Sequence, residues 1–386
     1  MSAARRDRLR VLVVAESFLP QVNGVTNSVR RVLEHLAAEG HQAELVAPTG
    51  PDSYAGFRVT RTRGISVWLY RDFRIGIETR RRLRQVMLRF RPDVVHVASP
   101  ATLGFQAVRV ANELGIPAVA IYQTDLVGFA RRYEERYNVT GPGRAMAALT
   151  RRIHVAVDRT LAPSSSSLTQ LDRLGVPRTA LWPRGVDIEM FHPSRIDHEL
   201  RARLAPRGEM IVGYVGRLAA EKELELLGAV ADDPRLSLVL VGGGPDEARL
   251  RTLLPRAHFT GILHGEELGA AYASFDVFVH TGRHETFCQA AQEALASGVP
   301  VIAPRSGGPV DIVQDTVTGF LYEPGDAQEL AAYVERLRAD PVERRRMGRN
   351  GRMSVAHISW RAINDALLQH YREVIADRTA ARRLSA

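Results

Sequence analysis

An α/β fold of two doubly wound parallel sheets is what this sequence predicts, on three observations. Short apolar runs, bounded by turn residues, alternate with stretches of helical period along 386 residues. A polar, proline-bearing stretch, Pro183 to Pro206, has no clear period and divides the runs into two sets. At 45% hydrophobic and 25% charged, the chain has apolar material for two sizeable cores and needs no staples.

In the first set, Arg10–Ala15, Ala43–Ala47, Val94–Val97, Pro117–Tyr122 and Thr160–Ala162 read as buried strands, with helices over Asn27–Ala38, Arg80–Phe90 and Thr102–Leu114 between them. In the second, Met210–Val215, Leu236–Val241, Phe259–Gly261, Val277–His280, Val299–Ala303 and Gly319–Tyr322 repeat the scheme. The sequence therefore divides into an N-terminal domain over 1–186, a second over 187–356, and a tail over 357–386. The tail carries a long helical pattern with Trp360, Leu367, Leu368 and Tyr371, read as crossing back onto the first domain.

Charge is distributed unevenly. Residues 1–186 hold 28 arginines against 15 acidic residues, whereas 187–386 hold 24 basic against 28 acidic. A basic first half suits an anionic surface or substrate. Its densest cluster, Arg80, Arg81, Arg82, Arg84, Arg89 and Arg91, is interleaved with Leu83, Val86, Met87 and Phe90 at i, i+3, i+4 and i+7. Such a helix either lies on an anionic bilayer or packs its stripe on a sheet and keeps its arginines solvated. Cys288 is the single cysteine, which leaves no intramolecular disulfide and fits a reducing compartment. The apolar run after the basic N-terminus stops at Glu16, and no stretch of eighteen apolar residues follows. These features are expected of a cytoplasmic protein, peripheral on a membrane if the arginine helix binds one.

Fifty-one arginines stand against one lysine, Lys222, which follows the run Ile211–Val215 in Gly216-Arg217-Leu218-Ala219-Ala220-Glu221-Lys222. A planar fork and a compact ammonium five residues apart, at the mouth of a strand, suit a diphosphate. Three glycine-bearing turns follow strands: around Gly24, at Gly242-Gly243-Gly244-Pro245, and at Gly307-Gly308-Pro309. None has the Gly-x-Gly-x-x-Gly or Walker spacing. In His284-Glu285-Thr286-Phe287-Cys288-Gln289-Ala290-Ala291-Gln292-Glu293, one glutamate precedes a helix and the other lies about two turns inside it. The amides of Thr286, Phe287 and Cys288 are then first-turn donors aimed at an anion. Glu293 sits among alanines, where an unpartnered carboxylate is costly.

These motifs together, with Glu16-Ser17-Phe18-Leu19-Pro20-Gln21-Val22-Asn23-Gly24 and Tyr122-Gln123-Thr124-Asp125, resemble the retaining GT-B glycosyltransferases of family four. Within that family the chain is most similar to GDP-mannose-dependent α-mannosyltransferases that act on lipid acceptors. The resemblance implies two Rossmann-like domains facing across a cleft and a nucleotide-sugar donor. It assigns Arg217 and Lys222 to the diphosphate, Glu293 to the ribose, and Glu285 with the amides of Thr286, Phe287 and Cys288 to the donor sugar. Gly24 would border the diphosphate, while Ile262 and Leu263 would meet the base through backbone. Many members carry histidine where this chain has Gln123, so that position and Asp125 are the acceptor-side candidates.

The implied catalysis is electrostatic: Arg217, Lys222 and Glu285 act while the nucleotide diphosphate leaves with retention at the sugar. No Asp-x-Asp and no His/Cys cluster of ligand spacing occurs, so neither a metal nor another cofactor is expected. Alternatives are a UDP-sugar donor with another acceptor and a sugar-nucleotide epimerase on the same architecture. A dehydrogenase is disfavoured by the missing fingerprint. A basic nucleic-acid-binding protein, suggested by pI near 10.1, leaves the paired glutamates unexplained and lacks interleaved stacking aromatics, so no nucleic-acid partner is expected.

Overall fold

Parallel strands form where the sequence places its β-branched runs. The computed structural model describes residues 8–21, 23–67, 70–98, 101–128, 130, 134 and 141–385, so Val22 of the turn before Gly24 lies outside the described residues. The chain divides into two units, one comprising residues up to Pro183 together with Ile363–Ala386, the other Arg184–Ala362.

The first unit holds β1 (Arg10–Val14), β2 (Gln42–Ala47), β3 (Ser53–Tyr54), β4 (Phe57–Arg61), β7 (Val94–Val97), β8 (Ala118–Ile121), β9 (Arg159–Ala162) and β10 (Thr179–Leu181) in one sheet. Their order is β10-β9-β8-β7-β1-β2-β4-β3, parallel except for the β3–β4 pair. β5 (Arg63–Val67) and β6 (Tyr70–Ile77) make a separate antiparallel hairpin. The second unit is a six-stranded parallel sheet, β13-β12-β11-β14-β15-β16. Its strands are β11 (Met210–Val215), β12 (Leu236–Val241), β13 (His258–Gly261), β14 (Val277–Val279), β15 (Val301–Pro304) and β16 (Gly319–Tyr322).

Continuous runs such as VLVV and LVLV are buried on both faces, as a sheet covered by helices on each side requires. In both sheets the strand order reverses once, between β1 and β7 and between β11 and β14, and at such a reversal two adjacent loops splay apart to leave a crevice beyond the strand ends.

Among the boundaries that differ from the sequence reading, three bear on the site and on the division into units. His280 lies just past β14 rather than at its end, its ring stacked on Tyr214 of β11. The stretch 183–206 carries the helix His198–Leu204, and its Phe191 and Leu204 are buried in the second unit's core. The last helix starts at Trp360 rather than at 357, and from Ile363 onward it packs in the first unit. There Trp182 Nε1 donates to the Ile363 carbonyl at 2.9 Å. Burial pulls His96 down to about 3, so its ring is neutral and accepts the Tyr371 hydroxyl at 2.6 Å.

Candidate active site

In the second unit the crevice falls between the ends of β11 and β14, and the sequence-predicted residues Arg217, Lys222 and Glu285 belong to the two loops that leave those ends. After β11 the chain turns through Gly216 at φ 159° and enters a single 3₁₀ turn, Ala220–Lys222. Gly216 and Gly242 meet backbone to backbone: a Cβ on Gly242 would sit 1.9 Å from the Gly216 carbonyl oxygen. Arg217, half exposed, pairs with Glu221 one turn on. Lys222 is largely buried, its carbonyl accepts from the Thr281 hydroxyl, and its Nζ donates to Glu285 Oε1.

The electrostatics of this pair follow from burial and partners. Burial alone pulls the Lys222 ammonium down, but the Glu285 carboxylate more than offsets it, so Lys222 sits above its ordinary value. Burial pushes Glu285 up, yet Lys222 and His280 together hold it well below the usual carboxylate range. Both are charged at neutral pH. The site thus holds fixed charges of both signs in a place only one fifth exposed.

The helix after Glu285 begins later than the sequence suggests. It spans Gln289–Ala296, with Cys288 as its cap residue in the left-handed region at φ 79°. Thr286, Phe287 and Cys288 therefore precede the helix, and their amides are loop amides rather than first-turn donors; the left-handed residue is what delays the helix. Glu293 consequently lies about one turn inside, not two. Its carboxylate accepts from the Tyr272 hydroxyl at 3.0 Å.

Two residues that face the candidate glutamates were given no role in the sequence reading. Arg184 is 7% exposed and lies in the field of both Glu285 and Glu293. Burial lowers it to about 10, the two carboxylates opposing, so it stays a cation. The segment Arg184-Gly185-Val186-Asp187 supports the family resemblance, but nothing local in it places the arginine opposite the two glutamates. His280 is the other; its lone sequence clue was a polar residue at the end of an apolar run.

The glycine turns brace the site from behind. The Gly308 amide donates to the Glu285 carbonyl at 2.7 Å, and the Ser306 hydroxyl donates to the Arg283 carbonyl at 2.9 Å. A Cβ on Gly308 would meet the Phe287 carbonyl oxygen at 2.1 Å, and one on Gly307, at φ 65°, the Glu285 carbonyl oxygen at 2.4 Å. Gly307 and Gly308 are thus required for close approach of two loops. Ile262, just beyond β13, is 66% exposed, while Leu263 packs against the core.

In the first unit, Gly24 is the first residue of the helix Gly24–Ala38, whose Thr26 amide is capped by Asn23 Oδ1 at 2.9 Å. Gln123 is buried and donates to the Ala98 carbonyl at 2.5 Å. Asp125 accepts from the Gly128 amide at 2.8 Å and from the Tyr122 hydroxyl at 3.2 Å. At the β1–β7 reversal the protein supplies its own anion. Glu16 Oε1 accepts from the amides of Ala101, Leu103 and Gly104, at the start of the helix Thr102–Leu114, and Oε2 from Gly76. Burial outweighs these four amides and pushes Glu16 up to about 7.

The arginine helix, Arg80–Phe90, packs its stripe inward: Leu83, Val86 and Met87 are buried in the first unit's core and Phe90 packs against it. The apolar stripe is therefore not available for a bilayer, which corrects the surface-insertion reading. The basic face remains outside together with Leu88, with Arg80 and Arg84 on Glu113 at 3.3 and 3.6 Å, and Arg82 on Glu78 at 3.0 Å. Among the described residues no helix is long and apolar enough to cross a membrane. One group, His35, Glu39 and Asp365, sets three ligand atoms within 4.8 Å of one another; it lies in the first unit and includes none of the candidate site residues.

Comparison with known proteins places these features. Residues 22–190 match the profile described as Glycosyltransferase Family 4, and residues 196–354 the profile described as Glycosyl transferases group 1. The chain is 48% identical over 379 residues to a GDP-mannose-dependent alpha-mannosyltransferase of Mycolicibacterium smegmatis, covering 96% of this chain and 99% of that one. The chain belongs to this glycosyltransferase family.

The glycosyltransferase is also 29% identical over 331 residues to a GDP-mannose-dependent alpha-(1-6)-phosphatidylinositol dimannoside mannosyltransferase of Mycobacterium tuberculosis, covering 79% of this chain and 82% of that one. Among solved structures, a sucrose-phosphate synthase from Thermosynechococcus elongatus superposes with a TM-score of 0.75 at 26% identity, covering 96% of this chain and all of the other. The fold of this glycosyltransferase is accordingly GT-B, two parallel-sheet Rossmann-like domains.

Proposed function

We propose that this glycosyltransferase moves mannose from GDP-mannose to a glycolipid or phospholipid-type acceptor, with retention at the sugar and without a metal ion. The observation that carries the reading is Lys222 beside Glu285 at the strand-order reversal of the second unit, together with 48% identity to a protein of that named activity. The lipid acceptor is supported by the phosphatidylinositol dimannoside relative and by the arginine face of the helix Arg80–Phe90.

In this reading Arg217 and Lys222 hold the diphosphate, the fork by paired donors and the ammonium as a point charge. Glu293, on its helix beside Tyr272, takes the ribose hydroxyls. Glu285 and the loop amides of Thr286, Phe287 and Cys288 take the hydroxyls of the donor sugar. Ile262 offers its exposed side chain, and Leu263 its backbone, to the base. As the C1–O bond breaks, the electron pair goes to the diphosphate, and the two cations stabilise the growing charge. The acceptor hydroxyl attacks from the face the diphosphate leaves; its proton passes to a diphosphate oxygen, so no protein base is needed. Two cations of the protein do the work a divalent metal does elsewhere.

The test is transfer from radiolabelled GDP-mannose and UDP-sugars to a mixed lipid fraction, with product anomer read by NMR. Expected is an α-mannolipid from GDP-mannose, unchanged by a chelator. Transfer from a UDP-sugar alone, loss with the chelator, or an epimerised donor without acceptor overturns the corresponding part of the reading.

A further inference from the structure

His280 is fixed more firmly than a core histidine requires. Its ring is 3% exposed and stacks on Tyr214, with centroids 6.3 Å apart and planes 12° from parallel. Its amide donates to the Ile302 carbonyl at 2.9 Å, and its carbonyl accepts from the Tyr322 hydroxyl at 3.2 Å. Two residues on, Gly282 packs closely against the ring: a Cβ there would lie 3.3 Å from His280 Nε2 and 3.4 Å from Lys222 Cα. In this setting His280 Nε2 lies 3.4 Å from Glu285 Oε1, the same oxygen that Lys222 reaches. Two cationic groups therefore converge on one oxygen of one carboxylate.

We propose that His280 is a positioning residue for glycosyl transfer: it stays beside Glu285 when the donor diphosphate draws Lys222 away, keeping the carboxylate ionised and its second oxygen turned to the donor sugar. The inference rests on the donor-site reading above and deepens it. A nucleotide diphosphate competes with Glu285 for the Lys222 ammonium. A buried carboxylate that loses its only partner is costly and takes up a proton or turns away. With His280 in place, Glu285 keeps a cation when Lys222 moves, so donor binding and the ionisation of Glu285 are uncoupled.

The surrounding charges agree with this. Burial alone lowers His280, but Cys288 at the helix cap and then Glu285 raise it, to about 10, so it is an imidazolium at neutral pH. Arg217 and Glu221 act on Tyr214 from the turn after β11, and Arg184 faces Glu285 from the start of the second unit. Tyr214, held far above its ordinary value chiefly by burial, is neutral and serves as the ring's platform.

Three measurements on the full chain decide it. First, in protein with labelled histidine ring carbons, the His280 signal is expected to report imidazolium through about pH 8 in the wild type and to titrate lower in Glu285→Gln. Second, His280→Gln is expected to lower kcat about tenfold or more, as for removal of a cation facing a buried carboxylate, with a smaller change in donor KM. Its acid limb in kcat should also move upward in pH, because Glu285 loses a cation that holds its value down. Third, in the Glu285→Gln background the same histidine change should have almost no further effect on kcat.

A His280→Gln protein that melts lower but keeps the wild-type kcat and pH profile would make the histidine a packing residue and overturn the inference, as would additive losses in the double variant. A wild type inert toward every nucleotide sugar takes down the donor-site reading and this inference together; an active wild type with an unshifted variant takes down this inference alone.

Discussion

Lys222 and Glu285 show how little a residue's type says until its neighbours are known. A sole lysine among arginines points to a compact charge, but the structure pairs it with the carboxylate meant for the sugar. Lys222→Ala removes the cation proposed to meet the leaving group and leaves Glu285 with His280 and the more distant field of Arg184. Turnover should fall about 100-fold to 1,000-fold, as for loss of one preorganised electrostatic donor; near-normal transfer in a radiolabel assay would remove the electrostatic reading. Lys222→Arg should also be impaired, since a fork cannot place its charge where an ammonium sits. As candidates, Arg217, Lys222, Glu285 and Glu293 were legible because local motif and spacing marked them. Arg184 and His280 were not, because each is defined by what it faces across the fold.

At the scale of elements, loops are held by atoms that carry no chemistry. Gly307 and Gly308 let one loop lie against the backbone that presents Glu285. Gly308→Ala would force that backbone away by more than the soft limits of packing. Stabilisation by the nucleotide sugar in a thermal-shift assay should be largely lost, and turnover should drop about 100-fold, the scale of a misplacement of about 1 Å. An unchanged ligand shift would mean the glycines serve only the turn.

Glu16 is a second element-scale device, tying the end of β1 to the helix Thr102–Leu114 and to β6. Its folded value, about 7, lies above that of an unfolded carboxyl. The stability it confers is thus full at low pH and lost as pH rises through that value. Glu16→Gln keeps an oxygen for three of the four amides and cannot ionise. Its melting temperature relative to wild type should improve between about pH 5 and about pH 8; a constant difference would place the titration elsewhere. Of the strands, β7, β11, β12 and β16 were legible to the residue, because buried parallel strands are continuous apolar runs. The strands between residues 53 and 77 were not: β3 and β4 lie at a sheet edge and alternate with polar residues, and β5 and β6 pair only with each other.

For the whole molecule the charge imbalance is the testable feature. The first 186 residues carry most of the net positive charge, and the arginine face of the helix Arg80–Phe90 is exposed while its apolar stripe is buried. Binding to vesicles of anionic phospholipid should therefore be electrostatic: strong at low salt, nearly abolished near 1 M salt where the screening length is about 3 Å. It should weaken when Arg80, Arg81, Arg82 and Arg84 are changed together to glutamine. Salt-independent sedimentation with vesicles would show apolar insertion instead, which the packing of Leu83, Val86 and Met87 opposes.

By itself the sequence determined the two parallel sheets and the family, and it singled out Arg217, Lys222, Glu285 and Glu293 as candidates, since apolar period, turn glycines and motif spacing are local properties of a chain. Only the tertiary structure decided where the helix after Glu285 begins, that the arginine helix spends its stripe on its own domain, and that Arg184 and His280 converge on the site glutamates. Burial and the meeting of charges from distant segments depend on how the elements pack, and no stretch of sequence carries that information alone.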